Sequence, residues 1–174
     1  SDLTDPYKML DMSKAVDRLV QAYLSNEKIC IYADFDLDGT SGLSILDVSL
    51  KKIGFTNVIY YQPKRLAEGY GFHPSAVEEL SSQGVRLIVT VDVGITSFAA
   101  FEKANQLGVD VILTDHHLPV TDDQGEEKLP QAYCVVKKKK KKDESGLGYL
   151  CGAGVAFYLI RALKRKFFED NALP

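Results

Sequence analysis

Long apolar runs are missing: no stretch of the 174 residues approaches the roughly twenty consecutive apolar positions that a membrane-spanning helix needs. The start, Ser1 to Pro6, is polar and lacks the charged-then-apolar pattern of a secretory signal. The expectation is a soluble, cytoplasmic chain with no membrane partner. Cysteine is scarce as well. Cys30, Cys134 and Cys151 form no CxxC pair, and an odd, scattered set fits reduced thiols better than a disulfide framework or a zinc site. Basic charge is scarcer than the net charge of −3 suggests: Lys137 to Lys142 is an unbroken run, and the remainder holds 15 basic against 24 acidic residues. Such a run ordinarily reads as a solvated loop, with a phosphate-binding patch as the functional alternative. There is no internal repeat and no other low-complexity stretch. At 45% hydrophobic, the chain can bury one core.

What the sequence does hold is apolar strand-like runs that end in acid. Ile29 to Ala33 stops at Asp34-Phe35-Asp36-Leu37-Asp38-Gly39. On an extended backbone, residues two apart share a face, so these three carboxylates are expected to point into one volume. Like charges that close call for a cation. The run Arg86 to Val91 is followed by Asp92-Val93-Gly94, and Val109 to Thr114 by Asp115-His116-His117.

Helical patterns lie between these runs. The spacing predicts helices over Met12 to Leu24 (capped by Ser13), Ser41 to Ile53, Ser75 to Ser82, Ser97 to Leu107 and Gly154 to Phe168. Further strands are expected at Asn57 to Tyr61 and Ala132 to Val136. Loops are expected at Gln62 to Pro74 and Leu118 to Gln131. The fold class that follows is α/β, a three-layer, doubly wound, mostly parallel sheet. In such a sheet all strand C-termini share one edge, where ligands bind. The three acid-ended strands would meet there, joined by two histidines.

Each motif has a second reading. Phe35 to Thr40 alone also resembles the nucleophile motif of haloacid-dehalogenase-type phosphatases, but the later strands here end in Asp92-Val93-Gly94 and Asp115-His116-His117. An aspartate at a strand exit often does no more than cap the next helix. Three such exits in one sheet favour a metal site over three independent caps.

Asp34-Phe35-Asp36-Leu37-Asp38-Gly39, Thr90 to Ser97 and Asp115-His116-His117 resemble, in order and spacing, the first three motifs of the DHH phosphoesterase superfamily. Arg65-Leu66-Ala67-Glu68-Gly69-Tyr70-Gly71 and Leu150 to Phe157 resemble segments of its RecJ branch, single-strand-specific 5′→3′ DNA exonucleases. Tyr32, four residues before Asp36, stands where other branches usually carry a histidine-containing motif. The resemblance implies one DHH-type catalytic domain over residues 1–174, ending before the family's fourth motif, with the second (DHHA1-type) and oligonucleotide-binding domains absent.

That resemblance implies a two-metal phosphodiesterase using Mn²⁺ or Mg²⁺ on a single-stranded nucleic acid, in DNA repair and recombination. Asp36 and Asp38 would each hold one ion, Asp92 would bridge them and His116 would bind one directly. Asp34 would be a ligand or support one. Asp115 would orient the histidine pair, and His117 would face the phosphate. Arg65 is a candidate for gripping a substrate phosphate, against an ion pair with Glu68. Gly152 and Gly154 could offer amides to a phosphate, against a tight strand-to-helix turn. Other readings are an oligoribonuclease or cyclic-dinucleotide phosphodiesterase of the same fold, and a non-catalytic scaffold associated with nucleic acid.

Overall fold

The structure, a computed structural model, describes residues 5–63, 69–137 and 152–169. Five parallel strands form the central sheet: β1 (Lys28–Ala33), β2 (Val58–Tyr61), β3 (Val85–Val91), β4 (Asp110–Thr114) and, after two short strands, β7 (Cys134–Val136). Their order is β2-β1-β3-β4-β7. Three of them are near-continuous apolar runs because helices cover both faces and leave no wet side. Side chains alternate between two cores. Ile29, Ile31, Leu87, Val89 and Val91 pack against α1 (Met12–Leu24), α2 (Leu37–Ile53) and α5 (Gly152–Lys164). Cys30, Tyr32, Val85 and Ile88 pack against α3 (Pro74–Ser82) and α4 (Phe98–Leu107). The three-layer, doubly wound arrangement read from the sequence is what the chain forms.

Chain order and strand order diverge at one point. The connection from β1 through α2 leads outward to β2, whereas β3 returns to pair on the other side of β1. In an open parallel sheet this reversal opens a crevice beyond the strand ends. The exits of β1 and β3 flank it, and β4 lies next in line. All three acid-ended strands are therefore adjacent.

Several boundaries differ from the sequence-based expectation, each for a local reason. Helix α2 begins at Leu37, four residues before Ser41, because the Asp36 carboxylate accepts the Gly39 amide at 2.7 Å and caps the helix there. Asp38 consequently lies in the first helical turn rather than on extended backbone. Ser13 does not cap α1: Asp11 holds the N-cap position at φ 53°, and its carboxylate accepts the Val135 amide at 3.0 Å instead. The segment after His117 is more than a loop, for Val120–Thr121 (β5) and Glu127–Lys128 (β6) form a small antiparallel hairpin. Helix α5 starts at Gly152 and runs into a π-helical turn, Arg165–Glu169. Lys137 forms a bridge with Leu10 and an ion pair with Glu127 at 2.5 Å. Residues 138–142 of the lysine run lie outside the described residues.

Close packing around the crevice depends on two glycines. A Cβ on Gly42 of α2 would stand 2.4 Å from Val91 Cγ1, so its absence lets α2 settle onto β3. A Cβ on Gly152 would stand 2.5 Å from the Asp92 Cβ, which brings the start of α5 directly against the β3 exit.

Candidate metal centre

Asp92 leaves β3 in the left-handed region at φ 59°, a conformation that Asp tolerates better than most residues because its short side chain bonds locally. Its amide still donates to the Thr114 carbonyl at 3.0 Å, extending the sheet ladder by one residue. The turn drives the carboxylate inward, to 1% exposure. From β4, Asp115, His116 and His117 arrive beside it. One ligand atom from each of these four residues lies within 4.8 Å of the others.

His116 Nδ1 is 2.5 Å from Asp92 Oδ1 and 3.8 Å from Asp38 Oδ2. His117 Nδ1 is 2.5 Å from Asp115 Oδ1 and 3.7 Å from Asp92 Oδ1. The two imidazole rings stand 4.4 Å apart. Asp115 is held from several sides: its carboxylate also accepts the Ile95 and His117 amides, each at 3.1 Å. Its geometry is that of a clamp on the His117 ring.

Asp38 is engaged differently from the sequence-based picture. Both of its oxygens accept amides from the start of α5, Gly152 at 2.7 Å and Ala153 at 2.8 Å. A carboxylate there gains from the helix dipole and satisfies two donors that the helix leaves open. The expectation that Gly152 presents its amide to a phosphate is thereby corrected, since Asp38 takes it. Gly154 lies in the first turn of the same helix. Asp34, Asp36 and Asp38 do not share one face of a strand. They are respectively a strand exit, a helix cap and a first-turn residue, and none belongs to the group of four. Asp34 and Asp36 instead line a neighbouring cavity of about 410 Å³ with Phe35, Gly69 and Tyr70. Arg65 lies outside the described residues.

The electrostatics are those of a site short of positive charge. Burial, reinforced by the charge of Asp38 and opposed by His116 and His117, pushes the Asp92 carboxyl up to about 7. Burial disfavours the charged form of His117, but the hydrogen bond and charge of Asp115, with Asp92 and Asp36 adding, raise its pKa nonetheless. Desolvation, followed by the charges of Asp115, Asp34, Asp92 and Asp36, lifts the Tyr70 phenol to about 12. Asp92 Oδ1 is buried and accepts no hydrogen bond among the described residues, although the His116 Nδ1 stands 2.5 Å from it. An orphaned buried carboxylate oxygen facing imidazole nitrogens fits a divalent cation, which satisfies both kinds of lone pair at once.

The sequence matches the model of the DHH family, N-terminal domain, over residues 28–173. The chain belongs to the DHH family. This DHH domain is 37% identical over 167 residues to the single-stranded-DNA-specific exonuclease RecJ of Escherichia coli strain K12, a match covering 95% of the chain and 28% of that protein. Its identity to the Bacillus subtilis strain 168 protein of the same description is 40% over 163 residues, covering 94% of the chain and 20% of the relative. The chain thus spans less than a third of the length of these curated relatives. Among solved structures, exonuclease RecJ bound to manganese superimposes with a TM-score of 0.77 at 33% identity, covering 95% of this chain and 39% of the other.

One residue at the DHH site carried no role in the sequence reading. Tyr70 lines the cavity shared with Asp34 and Asp36, and also a second cavity of about 560 Å³ bordered by Asp115 and His117. The available signal was an aromatic residue between Gly69 and Gly71, both of which take positive φ (71° and 113°) and so set the ring at the apex of a tight turn.

Proposed function

We propose that this chain is the metal-holding part of a phosphodiesterase that removes nucleotides from the 5′ end of single-stranded DNA, working in DNA repair and recombination in the cytoplasm. The observation that carries the reading is the buried, orphaned Asp92 oxygen, surrounded by His116, His117 and Asp115 at adjacent strand ends. Identity to RecJ exonucleases over nearly the whole chain supports the substrate class.

The mixed carboxylate and imidazole set suits Mn²⁺, with Mg²⁺ as the harder alternative. Asp92, His116 and Asp38 would hold one ion, and Asp36 with Asp92 a second, with Asp34 beside them. Divalent cations so bound supply an attacking water of lowered pKa and neutralise charge on the departing oxygen. The protein's own residues supply orientation. Asp115, fixed by two backbone amides, takes the Nδ1 proton of His117, which leaves Nε2 for the substrate. The raised pKa favours the protonated ring, so Nε2 can donate to a phosphate oxygen as charge develops there. Arg65 and Gly154 are assigned to the substrate's phosphates.

Calorimetric titration with Mn²⁺ tests the assignment. Wild-type chain should bind, and both Asp92→Ala and His116→Ala should lose binding together with hydrolysis of single-stranded oligonucleotides. Unchanged Mn²⁺ affinity in Asp92→Ala would refute the site.

A further inference from the structure

Residues 69–73, which carry Tyr70, have no regular structure of their own, yet they line both cavities beside the metal centre. Among the described residues, three side chains tie them down. The Ser97 hydroxyl oxygen accepts the Phe72 amide at 3.3 Å, and His73 Nε2 lies 3.3 Å from the Gly69 carbonyl. The third tie comes from beneath the sheet edge: the Tyr32 hydroxyl donates to the Gly71 carbonyl at 2.9 Å.

Tyr32 is unlike the other two. It lies next to the last residue of β1, fully buried, only two residues before Asp34. Its ring is stacked on Tyr61 of β2 at 5.4 Å and meets Phe72 edge-on at 4.8 Å. Phe72 in turn meets Phe101 of α4 edge-on at 5.3 Å. A phenol gripped this way has no rotational freedom left, so its hydroxyl is a fixed post on the same strand that delivers Asp34 and Asp36. A buried apolar ring would fill the same space, but it could not donate to the Gly71 carbonyl.

We infer that Tyr32 is a positioning residue of the active site: through the Gly71 carbonyl it holds the Gly69–Gly71 turn in place, so that Tyr70 stands between the two cavities as a stacking surface for an unpaired nucleobase next to the scissile phosphate. This rests on the proposed nuclease activity for its ligand, but not for its geometry. Tyr70 is 60% exposed, so its ring faces solvent beside the acidic site. Aromatic faces accept any base by stacking, which suits an enzyme that must not choose among sequences.

Tyr32→Phe removes the hydroxyl and retains the ring. It should accelerate amide exchange in the peptide spanning residues 69–74 while leaving β3 and Mn²⁺ affinity as in wild type. KM for a single-stranded oligonucleotide should rise roughly fivefold, the size expected for one lost neutral hydrogen bond, with kcat within about twofold. Tyr70→Ala should raise KM further, and the double variant should be no worse than Tyr70→Ala, because Tyr32 acts through Tyr70. Additive effects, a loss confined to kcat, or unchanged exchange in Tyr32→Phe would overturn the inference. A wild-type chain that binds Mn²⁺ and leaves DNA intact would instead refute the proposed activity, and the exchange result would still decide whether the hydroxyl holds the turn.

Discussion

Asp92 concentrates the chemistry of this protein in one carboxylate. Its placement combines a left-handed turn, near-complete burial and contact with the first residue of α5, where only glycine fits. The consequence is measurable without substrate. Its carboxyl moves from an ordinary 3.8 in the unfolded chain to about 7 in the folded one. The folded state therefore favours the protonated form, and the associated stability is fully present below the unfolded pKa and lost as pH rises through about 7. The metal-free wild type and Asp92→Asn should melt at similar temperatures at about pH 3.5, below the unfolded pKa, and the wild type should melt lower than the variant at about pH 8. Thermal denaturation at the two pH values checks this, and saturating Mn²⁺ should raise the wild-type curve selectively at the higher pH. The aspartates at Asp34, Asp36 and Asp38 teach a complementary lesson. Their two-residue spacing was legible, but a cap formed by Asp36 started the helix early and sent the three carboxylates to different tasks.

Among the elements, the pair α2 and α5 decides whether the site closes. They pack on each other over the β3 side of the sheet, and Asp38 of one caps the start of the other. Gly42 sets their distance from β3. Gly42→Ala places a methyl 2.4 Å from Val91 Cγ1, next to the Ala153 Cα and Ala156 Cβ of α5, so the helices must separate. The expected cost is about 1–3 kcal/mol, read as a lower urea midpoint. Apolar periodicity marks both helices, and Leu46, Val155, Leu159 and Leu163 are buried as that spacing demands, whereas Val48, in the same apolar pattern of α2, faces outward at 49% exposure. What it could not identify was the distance between helices. That depends on a missing side chain, which leaves no mark in a hydrophobic pattern.

Across the whole molecule, the strand entries opposite the site are pinned by one buried cation. Arg18 of α1 donates to Glu27 at 2.8 and 3.0 Å and to Asp110 at 2.8 Å, joining the approach to β1 with the start of β4. Because Glu27 and Asp110 keep 20% and 42% exposure, Arg18→Met should cost about 2 kcal/mol, less than the 3–5 typical of a fully buried pair. Equilibrium urea unfolding would register it, with Mn²⁺ affinity retained because the site lies at the other sheet edge. The chemical inventory was the sequence's own determination: apolar runs buried on both faces had to become parallel strands, and three of them ended in acid that had to face the strand-exit edge. The neighbours of each strand were decided only by the tertiary structure. The order β2-β1-β3-β4-β7 sets the exits of β1, β3 and β4 side by side, and it arises because β3 returns past β2 to pair with β1. Local pattern records which face a residue buries, since that is a property of its own backbone period. Which strand lies next to it depends on how helices dozens of residues away fill both layers, and that is settled by packing alone.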